Sequence, residues 1–449
     1  MLVGATEDAA RQPTLAQARA QMALIRFAGF DAIRLSQVWQ PGQTALTPAE
    51  LVPLQNAVQA AQLDGITVLL TVSQFGSRTT PLTDADQADF ATFAAWLAKQ
   101  LPYVRRIIVS NEPNLNRFWL PQYAADGSDV AAPAYESLLA KTYDALKAED
   151  PTLEVLGGAL APRGVDKPNT GRDTHSPTTF LADLGAAYRA SGRTTPIMDA
   201  LAIHPYEDNS SVAPVEGIHP NTSTIALADY GKLVGLLQEA FGGTAQPGAT
   251  LPIYYDEFGV ESDIPPAEQS LYTGTEPATI HPVDEQTQAA YYKQALQLAF
   301  CQPTVRGISL FHAFDEKERA GWQSGLYYVN EQPKASLAPT KAAIQQVGRG
   351  VIAQCPGLHL RPRVSVTGAR FSPILRCDLD CGYSARLVRL PATIVRTATG
   401  TAVGGKPKTI RFSTAHLRAA RYQVRVLARA TVNPAPQQSG AHGAVFRFP

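Results

Sequence analysis

From its first residue to about residue 348 the chain alternates, eight times over, between short apolar runs and longer segments with helical spacing. The apolar runs fall at residues 2–5, 32–35, 67–72, 106–109, 154–158, 200–203, 253–256 and 307–311. Most are continuously apolar rather than alternating, the pattern of strands buried on both faces. Between them, Thr47-Pro48-Ala49-Glu50 is a capping box with proline at the first helical position. Phe90, Phe93 and Leu97 recur at helical spacing within residues 83–99. Further helical segments cover residues 137–146, 179–188, 226–241, 286–299 and 339–347. Eight strand-then-helix units in succession predict a closed parallel (β/α)8 barrel, an α/β fold. The alternative is an open doubly wound sheet, which usually carries a glycine-rich phosphate loop after its first strand. Gly4-Ala5-Thr6-Glu7 is no such loop.

At 449 residues the chain is too long for one ordinary domain. After Gly350 helical periodicity stops, and short alternating runs appear at 364–366, 385–388, 409–412, 422–426 and 445–448, punctuated by Gly and Pro. This predicts a catalytic barrel over residues 1–352 and an accessory immunoglobulin-like β-sandwich over 353–449. Arginine recurs on the alternate face of the later runs, which marks that face as solvated.

Composition narrows the function. Lys+Arg and Asp+Glu both number 39, so there is no broad basic field for nucleic acid. No apolar run approaches the roughly 20 residues that cross a bilayer. No cofactor motif or metal set is evident: there is no His-Glu-x-x-His and no His-x-His after the first strand. Residues 1–5 read as the start of a strand rather than a leader, which leaves an intracellular protein or a secreted one whose leader is missing. The four cysteines favour secretion. They permit three pairings, and a zinc site would want tighter pairs and a nearby histidine. We expect two disulfides, Cys377–Cys381 stapling a turn of the sandwich and Cys301–Cys355 tying the last long barrel helix to the linker.

The chemistry concentrates at two strand ends. Ile107-Ile108-Val109-Ser110-Asn111-Glu112-Pro113-Asn114 closes the fourth run, and Ile253-Tyr254-Tyr255-Asp256-Glu257-Phe258-Gly259 the seventh. Carboxylates at the C-terminal ends of barrel strands point into the mouth. Two facing each other suit cleavage of a glycosidic bond, one protonating the leaving oxygen and the other attacking the anomeric carbon. Asn111 is placed to hydrogen-bond the sugar's 2-hydroxyl.

Asn-Glu-Pro-Asn-Leu-x-x-Phe-Trp at 111–119 resembles the acid/base motif of the glycoside hydrolase clan with catalytic glutamates on strands four and seven, clan A. Within it, the barrel looks most like family 39, which includes β-xylosidases and α-L-iduronidases. The resemblance spans roughly residues 1–350. It implies a retaining glycosidase with Glu112 as acid/base and Glu257 as nucleophile. It also implies roles for Arg34 and His204-Pro205-Tyr206 in orienting the nucleophile and holding the sugar. The residues after Glu257-Phe258 depart from a xylosidase pattern, which leaves the sugar open.

Each residue has a plainer reading. Arg34 fits either a core ion pair or a place beside Glu257, His204 a satisfied core histidine, and Tyr206 simple packing. Trp39, Trp119 and Trp322 follow strands two, four and eight, where indole rings stack on sugars. Trp322 is the best stacking candidate, while Trp119 also fits an anchor for the Glu112 loop. Trp96 lies mid-helix and reads as core. Asn114, His312 and Asp315 are further pocket candidates, as are Glu7 and Asp8, whereas Glu261 reads as solvated. The reaction implied is double-displacement hydrolysis of a plant or microbial glycan or glycoside. A non-catalytic carbohydrate-binding barrel and a transglycosylase using the same glutamates are the alternatives.

Overall fold

The structure is a computed structural model and describes residues 1–350, 352, 355, 362–365, 372–377, 380–404, 406–430 and 438–448. They form two compact units, one of Met1–Ala299 with Thr304–Arg349, the other of Phe300–Pro303 with Gly350–Pro449.

In the first unit eight parallel strands close on themselves in chain order: β1 (Leu2–Thr6), β2 (Ala32–Trp39), β3 (Thr67–Gln74), β4 (Arg106–Val109), β5 (Glu154–Leu160), β6 (Ala200–Ile203), β7 (Ile253–Phe258) and β8 (Val305–Leu310). β8 pairs back onto β1, with Leu2 opposite Gly307. Eight helices alternate with them: α1 (Leu15–Phe27), α2 (Pro48–Leu63), α3 (Asp84–Gln100), α4 (Ala131–Glu149), α5 (Pro177–Ala190), α6 (Tyr230–Phe241), α7 (Glu285–Cys301) and α8 (Leu337–Gly348). Side chains fix several of their starts. Thr47 and Glu50 complete the capping box of α2, and the hydroxyls of Thr14, Thr83 and Ser176 accept amides at the starts of α1, α3 and α5. Each such cap satisfies an amide that the helix itself cannot and contributes about 1 kcal/mol.

Ala32, Leu69, Ile108, Leu156, Ala200, Ala202 and Tyr254 pack as one cluster contributed by β2 to β7. Small residues on some strands make room for the Tyr254 ring from another. Its hydroxyl sits 3.0 Å from Arg106 Nε, and Arg106 pairs with Glu154 at 2.8 Å. These two charges begin β4 and β5, so this network seals the end of the barrel opposite the strand C-termini.

Two irregularities in the barrel shape its mouth. The β7–β8 register shifts between Tyr255 and Phe258, and the β5–β6 register between Gly158 and Leu160. Regular alternation would send Asp256 and Glu257 to opposite faces, and the shift is what lets both carboxylates reach the interior.

The second unit holds two antiparallel sheets. One orders β13 (Lys408–Thr409), β10 (Ile374–Arg376) and β9 (Arg363–Ser365). The other orders β12 (Thr393–Ala402), β11 (Cys381–Arg389), β14 (Ala420–Ala430) and β15 (Gln438–His442), with β16 (Phe446–Phe448) also on β14. Leu375 and Ile410 share a core with Tyr383, Ala385, Leu387, Tyr422, Val424 and Val426, so the sheets face each other as a sandwich. Arg421 and Arg429 alternate outward along β14, as the sequence pattern required. The expected strand at 364–366 is β9, and Val366 lies outside the described residues. Only Lys408–Thr409 of the 409–412 neighbourhood pairs as a strand, while Ile410 turns into the core.

All four cysteines are bridged, Cys301 to Cys355 and Cys377 to Cys381. The second bridge closes the short connection in the sandwich where it was expected. It connects the end of β10 in one sheet to the start of β11 in the other, and both its cysteines belong to the sandwich core. Cross-linking restricts the unfolded chain more as the closed loop lengthens. With partners 54 positions apart in sequence against 4, the entropic estimate is about 4 against about 2 kcal/mol. We therefore expect Cys301→Ser/Cys355→Ser to lower the midpoint of thermal unfolding more than Cys377→Ser/Cys381→Ser. The comparison is made by calorimetry, and the reverse order would show that the shorter bridge supports the sandwich core directly.

Candidate active site

The C-terminal ends of the strands converge on a cluster of three carboxylates and two cations. Arg34, on β2, is 2% exposed and reaches three partners. Nη1 lies 2.5 Å from Glu257 Oε1, Nε lies 3.2 Å from Asp256 Oδ2, and Nη2 donates to Asn111 Oδ1 at 3.1 Å. His204, just past β6, is fully buried. Its Nδ1 lies 2.9 Å from Glu112 Oε1 and 3.3 Å from Glu257 Oε2, and its Nε2 3.3 Å from Asp256 Oδ2. Tyr206 donates its hydroxyl to Glu257 Oε2 at 3.0 Å.

Burial alone would strip the proton from His204. The charges of Glu257 and Asp256, and hydrogen bonds to Asp256 and Glu112, override it and raise its pKa to about 10. Asp256 shows the converse. Burial pushes its carboxyl up, but His204 and Arg34 pull it below the ordinary value. Burial raises the Tyr206 hydroxyl far above its usual range, with the charges of Glu257 and Glu112 adding to the effect, so Tyr206 remains a donor. With both cations charged, three ionised carboxylates leave a net charge of −1, and one proton neutralises the cluster. Glu257 accepts from Arg34 and Tyr206 and Asp256 sits against Arg34 and His204, whereas among the described residues the Glu112 side chain has His204 alone.

Glu112 reaches the cluster through a tight turn after β4. Ser110 and Glu112 both adopt left-handed backbone, φ 71° and 42°. Such conformations cost about 1–3 kcal/mol each for non-glycine residues and persist only when held. Here the Ser110 amide donates to Val72 O at 2.7 Å and the Glu112 amide to Ala159 O at 2.9 Å. Ala159 sits at the irregular end of β5, where the register to β6 shifts.

Two cavities open beside the glutamates. One of about 670 Å³ is lined by Glu7, Asp8, Gln74, Asn111, Glu257 and His312, among others. A second of about 450 Å³ is lined by Glu112, Arg163, Tyr206, Glu207, Glu261 and Trp322, among others. Both volumes are in the range of small-molecule sites, about 300–1,000 Å³.

Arg34, Asn111, Glu112, His204, Tyr206 and Glu257 thus come together, and His312 and Trp322 line the cavities. The Trp322 ring lies 4.9 Å from that of Tyr206. Three expected sugar contacts do not reach the mouth. Trp39 is fully buried at the end of β2, edge-on to Phe90, with its indole N–H on Gln43 O. Trp119 is fully buried against Tyr135, in the anchoring position rather than the stacking one. Asn114 is fully buried and spends its amide on Ala161 and His175, clamping two loops. Asp315 lines the larger cavity while pairing with Lys334 at 2.7 Å. Trp96 is half-buried rather than core. Glu261, read as solvated, is 1% exposed and accepts from the Gln323 amide, and burial raises its carboxyl to about 7. Sequence reasoning misses Asp256, whose only signal is its place before Glu257 on an apolar strand. It also misses Glu316, which lies 3.4 Å from His312 and lines the larger cavity.

No protein-family model and no curated protein matches the chain. Solved structures similar to it include a calcium-binding mutant of β-glucuronidase 2 from Bacteroides uniformis, at 13% identity and TM-score 0.48. That match covers 99% of this chain and 45% of the glucuronidase, so the chain spans less than half its length. A monomeric β-xylosidase from Caulobacter crescentus matches at 16% identity and TM-score 0.47, over 91% of this chain and 93% of the other. An endo-β-1,4-mannanase from Thermotoga petrophila matches at 8% and 0.44, over 99% and 98%. Likeness at this level bears on neither substrate nor mechanism, which rest on the site itself.

Glu207, on the wall beside Glu112, provides a pH test of the site's electrostatics. It is 7% exposed, and burial, then the nearby Asp229 and Asp208, raise its carboxyl to about 9. The folded chain therefore holds a proton that the unfolded chain releases near 4.5. The stability this contributes is full below pH 4.5 and is lost as pH rises towards 9. Glu207→Gln keeps the neutral form at every pH. Its thermal midpoint should fall less than the wild type's between pH 5 and 9, and parallel curves would show that Glu207 is ionised throughout.

Proposed function

We propose that the chain is a retaining glycoside hydrolase of the clan with catalytic glutamates on strands four and seven, acting on an O-glycosidic bond of a glycan or glycoside. Glu257 is the nucleophile and Glu112 the acid/base. The observation that carries this reading is the spacing: with His204 between them, a carboxylate oxygen of Glu112 lies within 4.8 Å of one of Glu257. Retention uses carboxyl groups about 5–5.5 Å apart, whereas inversion needs about 6.5–9.5 Å to admit a water.

The donors around each group match its role. Arg34 and Tyr206 donate to Glu257 and aim the oxygen that attacks. Glu112, which meets His204 and lines the second cavity, takes the acid/base role. It protonates the departing oxygen as the covalent glycosyl-enzyme forms, then removes a proton from the water that releases it. Asn111, fixed by Arg34, turns its amide N–H towards the sugar's 2-hydroxyl. His204, held as an imidazolium, separates two carboxylates that would otherwise repel. Trp322 and Tyr206 offer ring faces beside Glu112, on the side where the leaving group would lie. The two disulfides further support secretion, and no helix among the described residues is long and apolar enough to cross a membrane.

The two roles predict unequal mutants. On a panel of aryl glycosides, Glu257→Ala should lose all detectable turnover. Glu112→Ala should lose about 10²–10⁴-fold where departure needs a proton, and much less with leaving groups that need none. Azide should rescue Glu112→Ala by attacking the glycosyl-enzyme without base help. A 2-fluoro glycoside should label Glu257, and the first product, followed by NMR, should keep its anomeric configuration. Inverted product, or equal losses in the two variants on every substrate, would overturn the assignment.

A further inference from the structure

Behind the loop that carries Glu112 lies a second set of titratable side chains that the proposed reaction does not use. Asp129 ends that loop and starts α4, its Oδ1 accepting the amides of Ala131 at 2.7 Å and Ala132 at 3.1 Å. His175 stands in the loop after β5 with its side chain 1% exposed, and its Nε2 lies 3.3 Å from Asp129 Oδ1 and 3.2 Å from the carbonyl oxygen of Gln122. Asp183 belongs to α5. One ligand atom from each of the three lies within 4.8 Å of the other two. Bonds of about 2.0–2.2 Å to a common ion would put such atoms roughly 3–4 Å apart.

A second observation separates this set from an ordinary acidic cluster. The Asp129 side chain is only 9% exposed, and its Oδ2 is buried without a hydrogen-bond partner. The Nδ1 of His175 is likewise buried and unpartnered. Asp183, itself half-buried, brings a second carboxylate against Asp129. Asp166 adds a third negative charge beside His175. Among the described residues, none of Asp129, Asp166 and Asp183 has an ion pair with lysine or arginine. Two carboxylates this close, one of them nearly buried, are costly unless a proton or a cation lies between them.

We propose that Asp129, His175 and Asp183 bind one divalent cation of the zinc or manganese class, which fastens the Glu112 loop to α5 and to the loop after β5. An imidazole with two carboxylates suits these ions, whereas calcium and magnesium favour oxygen ligands alone. The fastening is short-range. The His175 amide donates to Asn114 O at 2.9 Å, and Asn114 Nδ2 donates back to His175 O at 2.9 Å, two residues from Glu112. Gln122, whose carbonyl faces His175, holds the carbonyls of Pro113 and Trp119 through its Nε2. The cation thus serves as a positioning element for the acid/base loop. Only that clause rests on the glycosidase reading, and the site itself does not.

The test uses the full chain, stripped with EDTA and titrated with Zn2+, Mn2+ and Ca2+ in separate calorimetric runs. The expected result is one equivalent of Zn2+ or Mn2+ bound more tightly than Ca2+, with a higher thermal midpoint. Asp183→Asn should weaken binding more than tenfold, yet without metal it should unfold no earlier than the stripped wild type, because the new amide can donate to Asp129. Glu257→Gln should leave binding intact. Absence of saturable Zn2+ or Mn2+ binding, tighter binding of Ca2+, or binding that survives Asp183→Asn but fails in Glu257→Gln would each overturn the proposal. Where turnover is measurable, stripping should slow substrates whose leaving group needs a proton more than activated aryl glycosides. A uniform loss would refute the positioning role, while a chain inactive on every glycoside would refute the glycosidase reading and leave the titration to decide the site.

Discussion

Everything at the mouth of the barrel depends on the buried lattice in which Arg34 and His204 hold Asp256, Glu257 and Glu112. Taking a charge out of water costs several kcal/mol even after the protein relaxes, so each ion here is tolerable only because of the others. Removing one partner strands the rest. Without Arg34, three carboxylates would share a single imidazolium, and Glu257 would lose the contact at 2.5 Å that fixes its direction. Such a lattice is poor as a source of stability and good at setting geometry. It defines where the two glutamate carboxylates stand.

The backbone supplies these positions through departures from regularity. A strict alternation along β7 would make Asp256 and Glu257 neighbours on opposite faces. The shifted register between Tyr255 and Phe258 lets one bind the cations below while the other faces the cavity. On the opposite side, the left-handed Glu112 is held by the carbonyl of Ala159, itself at φ 44° in the irregular end of β5. Two local distortions, in strands far apart in sequence, therefore aim the two glutamates at one another. The regular part of the barrel, with its alanine-rich interior and the Arg106–Glu154–Tyr254 seal, provides a fixed frame for them.

That division explains what could be read from the sequence. The eight strands were legible because burial on both faces writes itself as short apolar runs, and β4 and β6 begin and end where those runs do. Glu112 and Glu257 were legible because a carboxylate ending such a run has few reasons to be there. Arg34, His204 and Tyr206 followed from the resemblance and meet the glutamates in the structure. Trp39 was misplaced because β2 continues four residues beyond its apolar run, carrying the indole into the layer packed against α3. Asn114 was misplaced because a loop's internal hydrogen bonding leaves no periodic trace. Asp129, His175 and Asp183 were invisible for the same reason: they meet only after α4 and β5 have folded between them.

The two cavities give this arrangement a direction. Glu257, Asn111 and the acidic residues Glu7, Asp8 and Glu316 lie on one side, and Glu112, Tyr206 and Trp322 on the other. In a double displacement the sugar that stays must present its anomeric carbon to Glu257 while the departing oxygen meets Glu112. On the proposed mechanism the cavity lined by Glu257 and Asn111 is therefore where the retained sugar would lie, and the one lined by Glu112 is where the leaving group would rest. Trp322 packs within 5.3 Å of Phe311 as well as against Tyr206, so the wall beside Glu112 is braced by the residue that donates to Glu257. A change in that wall would act on Glu257 through the Tyr206 hydroxyl, and so, on the proposed mechanism, couple the group that departs to the carboxylate that displaces it.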